Sequence, residues 1–358
     1  MQIETAIFLG AGASKAEGAP LQSEMFYEYF SSNSFKHSHD EMDRELASFF
    51  QLIFGIDVDH NHYDKSSFPT FEETLGLTDL AILRKEALKG FDIENRASKS
   101  GRLRNIAQYL MYLVAKVLDS KLEYSKNVHR TLLKGLNEGN KLKNTVFIST
   151  NYDILIDNAI SEMRDKGFDL DYGVEFRNFE RINDWQRPKA ARSVFLFKPH
   201  GSLNWLYCPT CNSLEITPKE KGVVTRLIVK YQAATCGACG SPFMPIIVPP
   251  TFYKDLNNVF LSTIWNKSEN ILRKAKHIIF CGYSFPDADM HIKYLLKRVQ
   301  TNRNNSLKFT VFNYHDGKKA CDIESEQNRF KRFLGDNVNY YLDKSFEDFA
   351  ENPMLYYK

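Results

Sequence analysis

The sequence of 358 residues has no apolar run that approaches the roughly 18 residues a membrane span needs. Its first residues, Met1-Gln2-Ile3-Glu4, carry no basic segment and no long apolar stretch, so they predict no secretory signal peptide. Repeats and low-complexity tracts are absent as well, and the formal net charge of +3 is too small to indicate a polyanionic partner. We therefore expect a soluble, cytoplasmic protein that needs no membrane and does not bind nucleic acid directly.

Cysteine is sparse, with six residues in the whole chain. Four of them form two Cys-x-x-Cys pairs separated by 24 residues: Cys208, Cys211, Cys236 and Cys239. In a cytosolic chain this spacing is typical of a zinc ribbon, whose four thiolates close one tetrahedral site, and redox pairs are the alternative. Because four protein ligands leave no open position, we expect a structural Zn²⁺ without a catalytic role. Cys281 and Cys321 are predicted to be ordinary packed cysteines.

Short apolar runs rich in β-branched and aromatic residues alternate with segments of helical periodicity. This alternation predicts an α/β protein with a Rossmann-like, doubly wound parallel sheet. The predicted strands are Ile3–Leu9, Thr145–Ser149, Val194–Phe197, Ile278–Phe280, Phe309–Phe312 and Tyr340–Leu342. Ligands of such sheets bind at the carboxyl ends of the strands, so the loops that follow the strands should converge there and carry the chemistry.

Residues 20–140 are predicted to be mostly helical, because apolar residues recur there at three-to-four spacing. The predicted helices of the chain are Asp43–Phe54, Phe71–Leu88, Leu103–Leu118, Val128–Leu136, Ile154–Met163, Val259–Ala275 and Met290–Val299. We expect residues 1–20 and 141–358 to form the Rossmann-like domain and residues 21–140 to be a helical insertion. Within that domain, residues 206–242 are expected to form a small zinc-ribbon module.

The first predicted strand runs directly into Gly10-Ala11-Gly12-Ala13-Ser14. A strand followed by Gly-x-Gly and a helical pattern indicates a tight turn at a helix N-terminus. Free backbone N–H groups and the positive end of the helix dipole would suit a diphosphate there. The third glycine of the dinucleotide fingerprint is not in its usual place, so a purely structural glycine turn is the alternative.

Four further loops at predicted strand ends are unusually polar. They are Thr150-Asn151-Tyr152-Asp153, Lys198-Pro199-His200-Gly201-Ser202, the stretch from Gly282 through Ser284 to Asp289, and Asn313-Tyr314-His315-Asp316. Each has a simple structural explanation. The Asx residues could cap a helix, the histidine could be buried and hydrogen-bonded, and the last asparagine could turn the chain. Their shared position beside the glycine turn favours a binding site.

The order of these motifs resembles the sirtuin superfamily, and most closely the SIR2-like proteins of bacterial anti-phage defence that are paired with a HerA-like ATPase. The motifs are Gly-Ala-Gly-x-Ser, Thr-Asn-x-Asp, His-Gly, the two Cys-x-x-Cys pairs, Gly-x-Ser and Asn. The resemblance covers about residues 1–20 and 145–345, so ordinary sirtuins leave the helical block unexplained. It implies NAD⁺ as the substrate, a homo-oligomer, and an ATPase of that kind as a partner.

The resemblance also implies a role for each matching residue. Asn151 would hold the nicotinamide ribose or the attacking water, Asp153 would grip the carboxamide, and His200 would take a proton from a ribose hydroxyl or from water. These three are the expected catalytic residues. The residues expected to bind the rest of NAD⁺ are Gly10, Ala11, Gly12, Ser14, Thr150, Gly282, Ser284 and Asn313.

Two segments depart from the protein-deacylating sirtuins. Those enzymes carry Gly-x-Pro-x-Phe-Arg after the phosphate turn, whereas Gly18-Ala19-Pro20 is followed here by Leu21-Gln22. Where they pair with the acyl-lysine peptide, this chain has Val248-Pro249-Pro250-Thr251-Phe252, whose prolines lack the N–H needed to pair with an added strand. With no acyl-lysine held over the ribose, water becomes the expected acceptor, which favours hydrolysis.

We therefore predict an NAD⁺ hydrolase (NADase) that releases nicotinamide and ADP-ribose as the effector of an anti-phage, abortive-infection system. One alternative is an NAD-dependent protein deacylase, which the zinc module would fit. Another is a non-catalytic nucleotide- or nucleic-acid-binding module that uses the ribbon and its basic residues, Lys219, Lys221, Arg226 and Lys230. The helical block is large enough to cap the pocket or to form an oligomer interface.

Overall fold

The computed structural model describes residues 3–38, 40–60, 63–94, 101–122, 125–178, 193–216, 235–247, 258–287, 289–303 and 306–357. Two segments that bear on the sequence predictions lie outside these ranges: the proline-containing stretch 248–252 and the basic residues between 219 and 230. The chain forms two compact units, one made of Met1–Gly18 and Tyr124–Lys358 and the other of Ala19–Glu123. The first unit contains both sheets.

Eleven strands run through the described residues. They are β1 (Thr5–Leu9), β2 (Thr145–Ser149), β3 (Asp169–Asp171), β4 (Arg177–Asn178), β5 (Ser193–Phe197), β6 (Gly201–Cys208), β7 (Ser213–Ile216), β8 (Met244–Ile247), β9 (His277–Cys281), β10 (Lys308–Phe312) and β11 (Val338–Tyr341). Seven of them form a parallel sheet in the order β11-β10-β9-β1-β2-β5-β3. The other four form a smaller sheet in the order β4-β7-β6-β8, in which β6 is antiparallel to both neighbours.

Twelve α-helices occur in the described part of the chain. They are α1 (Ala11–Ala16), α2 (Met25–Phe30), α3 (Asn33–Lys36), α4 (Glu41–Phe49), α5 (Phe71–Arg84), α6 (Arg102–Lys121), α7 (Val128–Glu138), α8 (Leu155–Ser161), α9 (Val259–Leu272), α10 (Met290–Thr301), α11 (Ala320–Leu334) and α12 (Phe346–Glu351). A π-helical turn, Phe50–Phe54, extends α4. No described helix has the length and apolar character that a membrane crossing requires.

The main sheet is buried on both faces, which explains why its strands read as continuous apolar runs rather than alternating ones. Every residue of β1, β2 and β9 is buried. The strand β1 lies in the middle, with Leu9 in register with Ser149 of β2 on one side and with Cys281 of β9 on the other. The chain passes from β1 to β2 on one side and returns later to β9 on the other, so the topological switch point lies at β1.

The predicted α/β class and parallel sheet are confirmed, although several element ends differ. The helix predicted to reach Leu88 ends at Arg84, because Lys85 adopts a left-handed backbone with a φ of 57°. The helix α11 and the smaller sheet have no counterpart among the predicted elements. Cys281 is buried as expected, but the prediction of a packed Cys321 is wrong, because that side chain is exposed on the first turn of α11.

The unit Ala19–Glu123 has an aromatic core of its own. The rings of Phe26 and Phe30 are fully buried and contact Phe50, with centroid distances of 4.7 and 5.1 Å. The helix α5 of this unit begins with a capping box, in which Thr70 and Glu73 exchange side-chain-to-backbone hydrogen bonds. Aromatic packing and local capping therefore stabilise this helical unit.

Candidate functional site

The loops at the carboxyl ends of four neighbouring strands are joined by backbone hydrogen bonds. These run from Gly10 N to Cys281 O (3.0 Å), from Thr150 N to Leu9 O (3.1 Å), and from Gly282 N to Phe312 O (2.9 Å). The loops after β1, β2, β9 and β10 therefore meet at one edge of the sheet, as predicted. The hydroxyl of Thr150 also lies 3.4 Å from Leu9 O, so Thr150 fastens the end of β2 to that of β1.

The glycines of the first turn are required by the backbone that packs against them. A Cβ on Gly10 would lie 2.6 Å from the carbonyl oxygen of Gly282, and a Cβ on Gly12 would lie 2.7 Å from its Cα. Gly282 itself has a φ of +61°, and a Cβ there would lie 2.0 Å from the amide nitrogen of Ala13. The two turns are thus in direct backbone contact, which only glycine permits.

The expectation that the amides of this turn are free for a diphosphate is wrong for three of them. The N–H groups of Gly10, Gly12 and Ala13 donate to carbonyl oxygens at 3.0, 2.7 and 2.9 Å. The N–H of Ala11 has no acceptor among the described residues. The glycine turn therefore holds the sheet edge together and leaves one of these four amides for a ligand.

Ser14, Asn151 and Asp153 form a hydrogen-bonded chain across the switch point. The Ser14 hydroxyl donates to Asp153 Oδ2 at 2.6 Å and accepts from Asn151 Nδ2 at 2.8 Å. Ser14 and Asp153 are buried, whereas Asn151 is half-buried. The serine hydroxyl is therefore a link between the two Asx side chains rather than a free donor to a ligand.

The hydrogen bonds of Asn151 determine which of its atoms is available. Its Nδ2 donates to Gly10 O and to Ser14 Oγ, both at 2.8 Å, which uses both amide protons. Its Oδ1 receives no hydrogen bond from the described residues, so this acceptor remains for a water molecule or a ribose hydroxyl. Asp153 differs, because its Oδ1 accepts from the N–H of Leu155, the first residue of α8, at 3.1 Å.

A fully buried lysine contacts residues of two of these loops. The Lys198 side chain is 0% exposed, and its ammonium donates to the Asp153 carbonyl oxygen, to Ser202 Oγ at 2.7 Å and to Asp157 Oδ2 at 3.2 Å. Ser202 lies just beyond His200, and Asp153 lies just beyond Asn151. This single cation therefore connects the Thr-Asn-x-Asp loop to the His-Gly loop.

Asp157 is the counter-ion of this lysine. Burial raises the pKa of Asp157 above its ordinary value, and the nearby Lys198 ammonium and Tyr172 hydroxyl oppose that rise. Tyr172 donates to Asp157 and accepts from Asn204 Nδ2 at 3.1 Å. Burial, followed by the Asp157 charge, raises the pKa of Tyr172 well above its ordinary value. The network is thus a buried ion pair completed by neutral hydrogen-bonding groups.

His200 lies in the turn between β5 and β6, and its side chain is 2% exposed. The turn closes through a hydrogen bond from Gly201 N to Lys198 O at 3.0 Å. Gly201 has a φ of +83°, and a Cβ there would lie 1.9 Å from Ile246 O on β8. The imidazole Nε2 lies 3.5 Å from Oδ1 of Asp289, which precedes α10. A buried histidine with a carboxylate neighbour can serve as a proton acceptor.

Ser284 and Asn313, which were predicted to bind NAD⁺, lie in different environments. Ser284 is exposed, and its carbonyl oxygen accepts from the Arg329 guanidinium at 3.2 and 3.3 Å. Asn313 is 5% exposed and donates to Tyr283 O at 3.0 Å and to Glu326 Oε1 at 2.5 Å. The buried Oδ1 of Asn313 has no partner among the described residues. Asn313 therefore has no free donor, and its one unpaired acceptor is buried.

The four cysteines of the two Cys-x-x-Cys pairs lie together, with every pair of Sγ atoms within 4.8 Å. Cys208 ends β6, and its sulfur lies 3.4 Å from that of Cys239, while Cys211 and Cys236 are 3.5 Å apart. Zn–S bonds of about 2.3 Å in a tetrahedron place the sulfurs about 3.8 Å apart, whereas a disulfide needs about 2.05 Å. The cluster is thus compatible with a single zinc ion.

Several residues of this site were not assigned a role from the sequence, namely Lys198, Asp157, Tyr172, Asp289 and Glu326. Asp157 gave no detectable signal, because Asp153 lies before the start of α8 and the helix period does not relate the two residues. A lysine directly after the apolar run Ser193–Phe197 was a signal for a buried cation. The link between Asp289 and His200 joins loops 89 positions apart, and no local pattern indicates it.

A protein-family model described as a SIR2-like domain matches residues 145–333, more than half of the chain. No curated protein matches the chain. Among solved structures, a sirtuin solved for the structural basis of substrate affinity matches at 15% identity with a TM-score of 0.41, covering 99% of this chain and 93% of that one. A structure of Sir2 with a p53 peptide and NAD⁺ matches at 15% identity with a TM-score of 0.40 and the same coverage, 99% and 93%. The matched family segment includes Asn151, His200 and the four cysteines.

Proposed function

The chain belongs to the family of SIR2-like domains, and we propose that it is an NAD⁺ glycohydrolase that releases nicotinamide and ADP-ribose. Asn151, Asp153 and His200 are the proposed catalytic residues. The glycine turn, Thr150 and the loops after β9 and β10 are proposed to hold the rest of the dinucleotide. An enzyme of this kind would serve as the effector of an anti-phage system by depleting NAD⁺.

The observation that carries this proposal is the way Asn151 is held. Both of its amide protons are used inside the protein, so its oxygen is the group left to orient a water molecule or a ribose hydroxyl. Cleavage of the bond between ribose and nicotinamide passes through an oxocarbenium-like state, which fixed dipoles of this kind stabilise. His200 accepts the proton that the attacking oxygen loses.

Hydrolysis is preferred over deacylation because of the two departures in the sequence. The aromatic residue that follows the phosphate turn in deacylases is replaced by Leu21-Gln22, and the segment that would pair with a peptide contains Pro249-Pro250. In deacylases the first segment supplies the ring that shields the ribose intermediate, and the second supplies the N–H groups that pair with the acyl-lysine peptide. Water is therefore the proposed acceptor.

We propose two further features, a structural metal ion and an assembly. The four-cysteine cluster would hold a structural Zn²⁺, because its sulfur spacing suits four thiolate ligands. A homo-oligomer with a HerA-like ATPase partner follows from the resemblance to defence proteins, and the helical segment 21–140 is proposed as an insertion that serves this assembly.

Incubation of the full-length protein with NAD⁺, with and without an acetylated peptide, tests the function. We expect free nicotinamide and ADP-ribose without peptide, from the chain alone or with its ATPase partner. Peptide-dependent O-acetyl-ADP-ribose would instead identify a deacylase. Binding of NAD⁺ with no product from any assembly would identify a non-catalytic nucleotide-binding module.

The variants Asn151→Ala and His200→Ala test the site assignment. Each should lower the rate of nicotinamide release by at least about a hundredfold, because each removes a group that acts on the reacting atoms. The exposed His37 supplies a control, and His37→Ala should keep the wild-type rate. Unfolding curves of the three variants establish that they are folded, and near-wild-type turnover by either site variant would refute the assignment.

A further inference from the structure

Asp289 is a buried carboxylate in the loop that leads into α10. Its side chain is 2% exposed, and burial of a carboxylate is unfavourable unless other groups compensate its charge. Two residues earlier in the same loop, Asp287 has a side chain that is 70% exposed and pairs with Lys293 Nζ at 2.7 Å. The loop thus places one aspartate in water and directs the other into the site.

The two oxygens of the Asp289 carboxylate face different groups. Its Oδ2 accepts from the Tyr283 hydroxyl at 2.8 Å, and its Oδ1 lies 3.5 Å from Nε2 of the buried His200 imidazole. Tyr283 is itself buried against Phe8, with ring centroids 4.9 Å apart, so its hydroxyl is well fixed. The tyrosine therefore orients the carboxylate, and the carboxylate lies beside the imidazole.

We propose that Asp289 is a positioning residue for His200, held in place by Tyr283. This inference rests on the proposed NAD⁺ hydrolysis. As the oxygen of water bonds to the ribose carbon, the bond to the nicotinamide nitrogen breaks, and its electron pair neutralises the positive charge of that ring. His200 takes the proton of the attacking water and later returns it to solvent. Asp289 keeps the imidazole oriented and stabilises the imidazolium formed in that step.

Asp289 is the charged group that we expect to orient the His200 imidazole and to stabilise its positive charge. Lys198 belongs to the same loop, but its ammonium is engaged by the Asp153 carbonyl oxygen, by Ser202 and by Asp157. Tyr283, on the loop after β9, acts on His200 through Asp289. The carboxylate of Asp289 is consequently placed to compensate a positive imidazole within the network of the described residues.

The variant Asp289→Asn removes the charge but keeps the shape and an acceptor for Tyr283. We expect kcat for nicotinamide release to fall by about ten- to a hundredfold, with KM changed by less than about threefold. Asp287→Asn is the matched control in the same loop and should behave as wild type. A large rise in KM with unchanged kcat would overturn the proposal, because it would identify Asp289 as a substrate-binding group.

A second measurement needs no turnover. In the full-length protein labelled on histidine, the His200 imidazole signal is assigned by its loss in His200→Gln and then titrated by NMR. In Asp289→Asn the midpoint should move to lower pH by about one pH unit, because an adjacent carboxylate favours the charged ring. Asp287→Asn should leave it in place.

The two measurements separate the two claims. An unchanged midpoint in Asp289→Asn overturns the positioning role even if the enzyme is active. A moved midpoint in a protein that releases no nicotinamide supports the pairing and refutes the proposed function. If Asp289→Asn does not fold, Tyr283→Phe takes its place, since it frees the carboxylate and should give a smaller fall in kcat and a smaller movement of the same midpoint.

Discussion

Replacement of the buried Lys198 by methionine should strongly destabilise the protein. The lysine side chain is 0% exposed, and its ammonium is the cation that faces Asp157, at 3.2 Å. Lys198→Met keeps most of the apolar volume but leaves a buried carboxylate for which, within the described ranges, Tyr172 is the remaining side-chain donor. Loss of one partner of a buried ion pair costs about 3–5 kcal/mol. That is a large fraction of the roughly 5–15 kcal/mol that holds a typical domain folded.

The double variant Lys198→Met/Asp157→Asn separates charge from packing. The asparagine can still accept from Tyr172, so the double variant should recover at least about 2 kcal/mol of the loss. Urea unfolding followed by circular dichroism and by tryptophan fluorescence gives the free energy of each variant.

A lower pH should also reduce the loss of stability in Lys198→Met. Burial already raises the pKa of Asp157, and removal of Lys198 raises it further, so the carboxyl becomes neutral as the pH falls. The destabilisation should therefore be smaller at pH 5 than at pH 7.5. Wild-type stability of Lys198→Met, or a double variant whose loss is the sum of the two single losses, would refute the reasoning.

Two further predictions concern the cysteine cluster and a buried histidine. Cys208→Ser should lower the zinc content to below one ion per chain and reduce the melting temperature. Cys321→Ser, at an exposed cysteine outside the cluster, should change neither. Equal zinc content in the two variants would contradict the metal site. Burial, and then Lys308, lowers the pKa of His277 to about 4, so its contribution to stability is present above pH 6.5 and is lost as the pH falls toward 4. The ordinary pKa of histidine lies about 1.5 pH units above pH 5. At pH 5 the His277 imidazole is therefore protonated in the unfolded chain but not in the folded chain, which lowers the free energy of unfolding by about 2 kcal/mol. Between pH 7 and pH 5, urea unfolding should therefore show a loss of stability that is about 2 kcal/mol smaller for His277→Gln than for the wild type. The control His37→Gln, at an exposed histidine, should lose as much as the wild type. An equal loss in His277→Gln and the wild type would contradict the lowered pKa of His277.

The core of the fold could be predicted because its signals are local. Continuous apolar runs identified β1, β2, β5, β9 and β10 within two residues, since strands buried on both faces need no polar alternation. The amphipathic helix α11 was missed, although acidic and basic residues on its outer face are typical of a surface helix. The smaller sheet was missed because β7 and β8 are only four residues long and the cysteine segment separates them in the sequence.

The polar loops at the strand ends could be predicted from the sequence, but the hydrogen bonds that connect them could not. The glycine turn looked like a set of free amides, but Cys281 and Gly282 accept hydrogen bonds from two of them and Gly10 O accepts from a third. Asn151 and His200 were predicted from their motifs and remain a prediction, whereas the roles of Lys198 and Asp289 depend on contacts between distant loops. Such contacts arise from strand order, which periodicity and spacing do not encode.

The most direct test of the central claim is a crystal structure of the folded, inactive His200→Ala variant with NAD⁺. We predict that the nicotinamide ribose lies at the switch point, with Asn151 Oδ1 within hydrogen-bonding distance of a ribose hydroxyl or of a water about 3–3.5 Å from the anomeric carbon. The space vacated by the imidazole should lie on the same side of the ribose. NAD⁺ bound with its ribose away from Asn151 and position 200, or an empty cleft at saturating NAD⁺, would contradict the account.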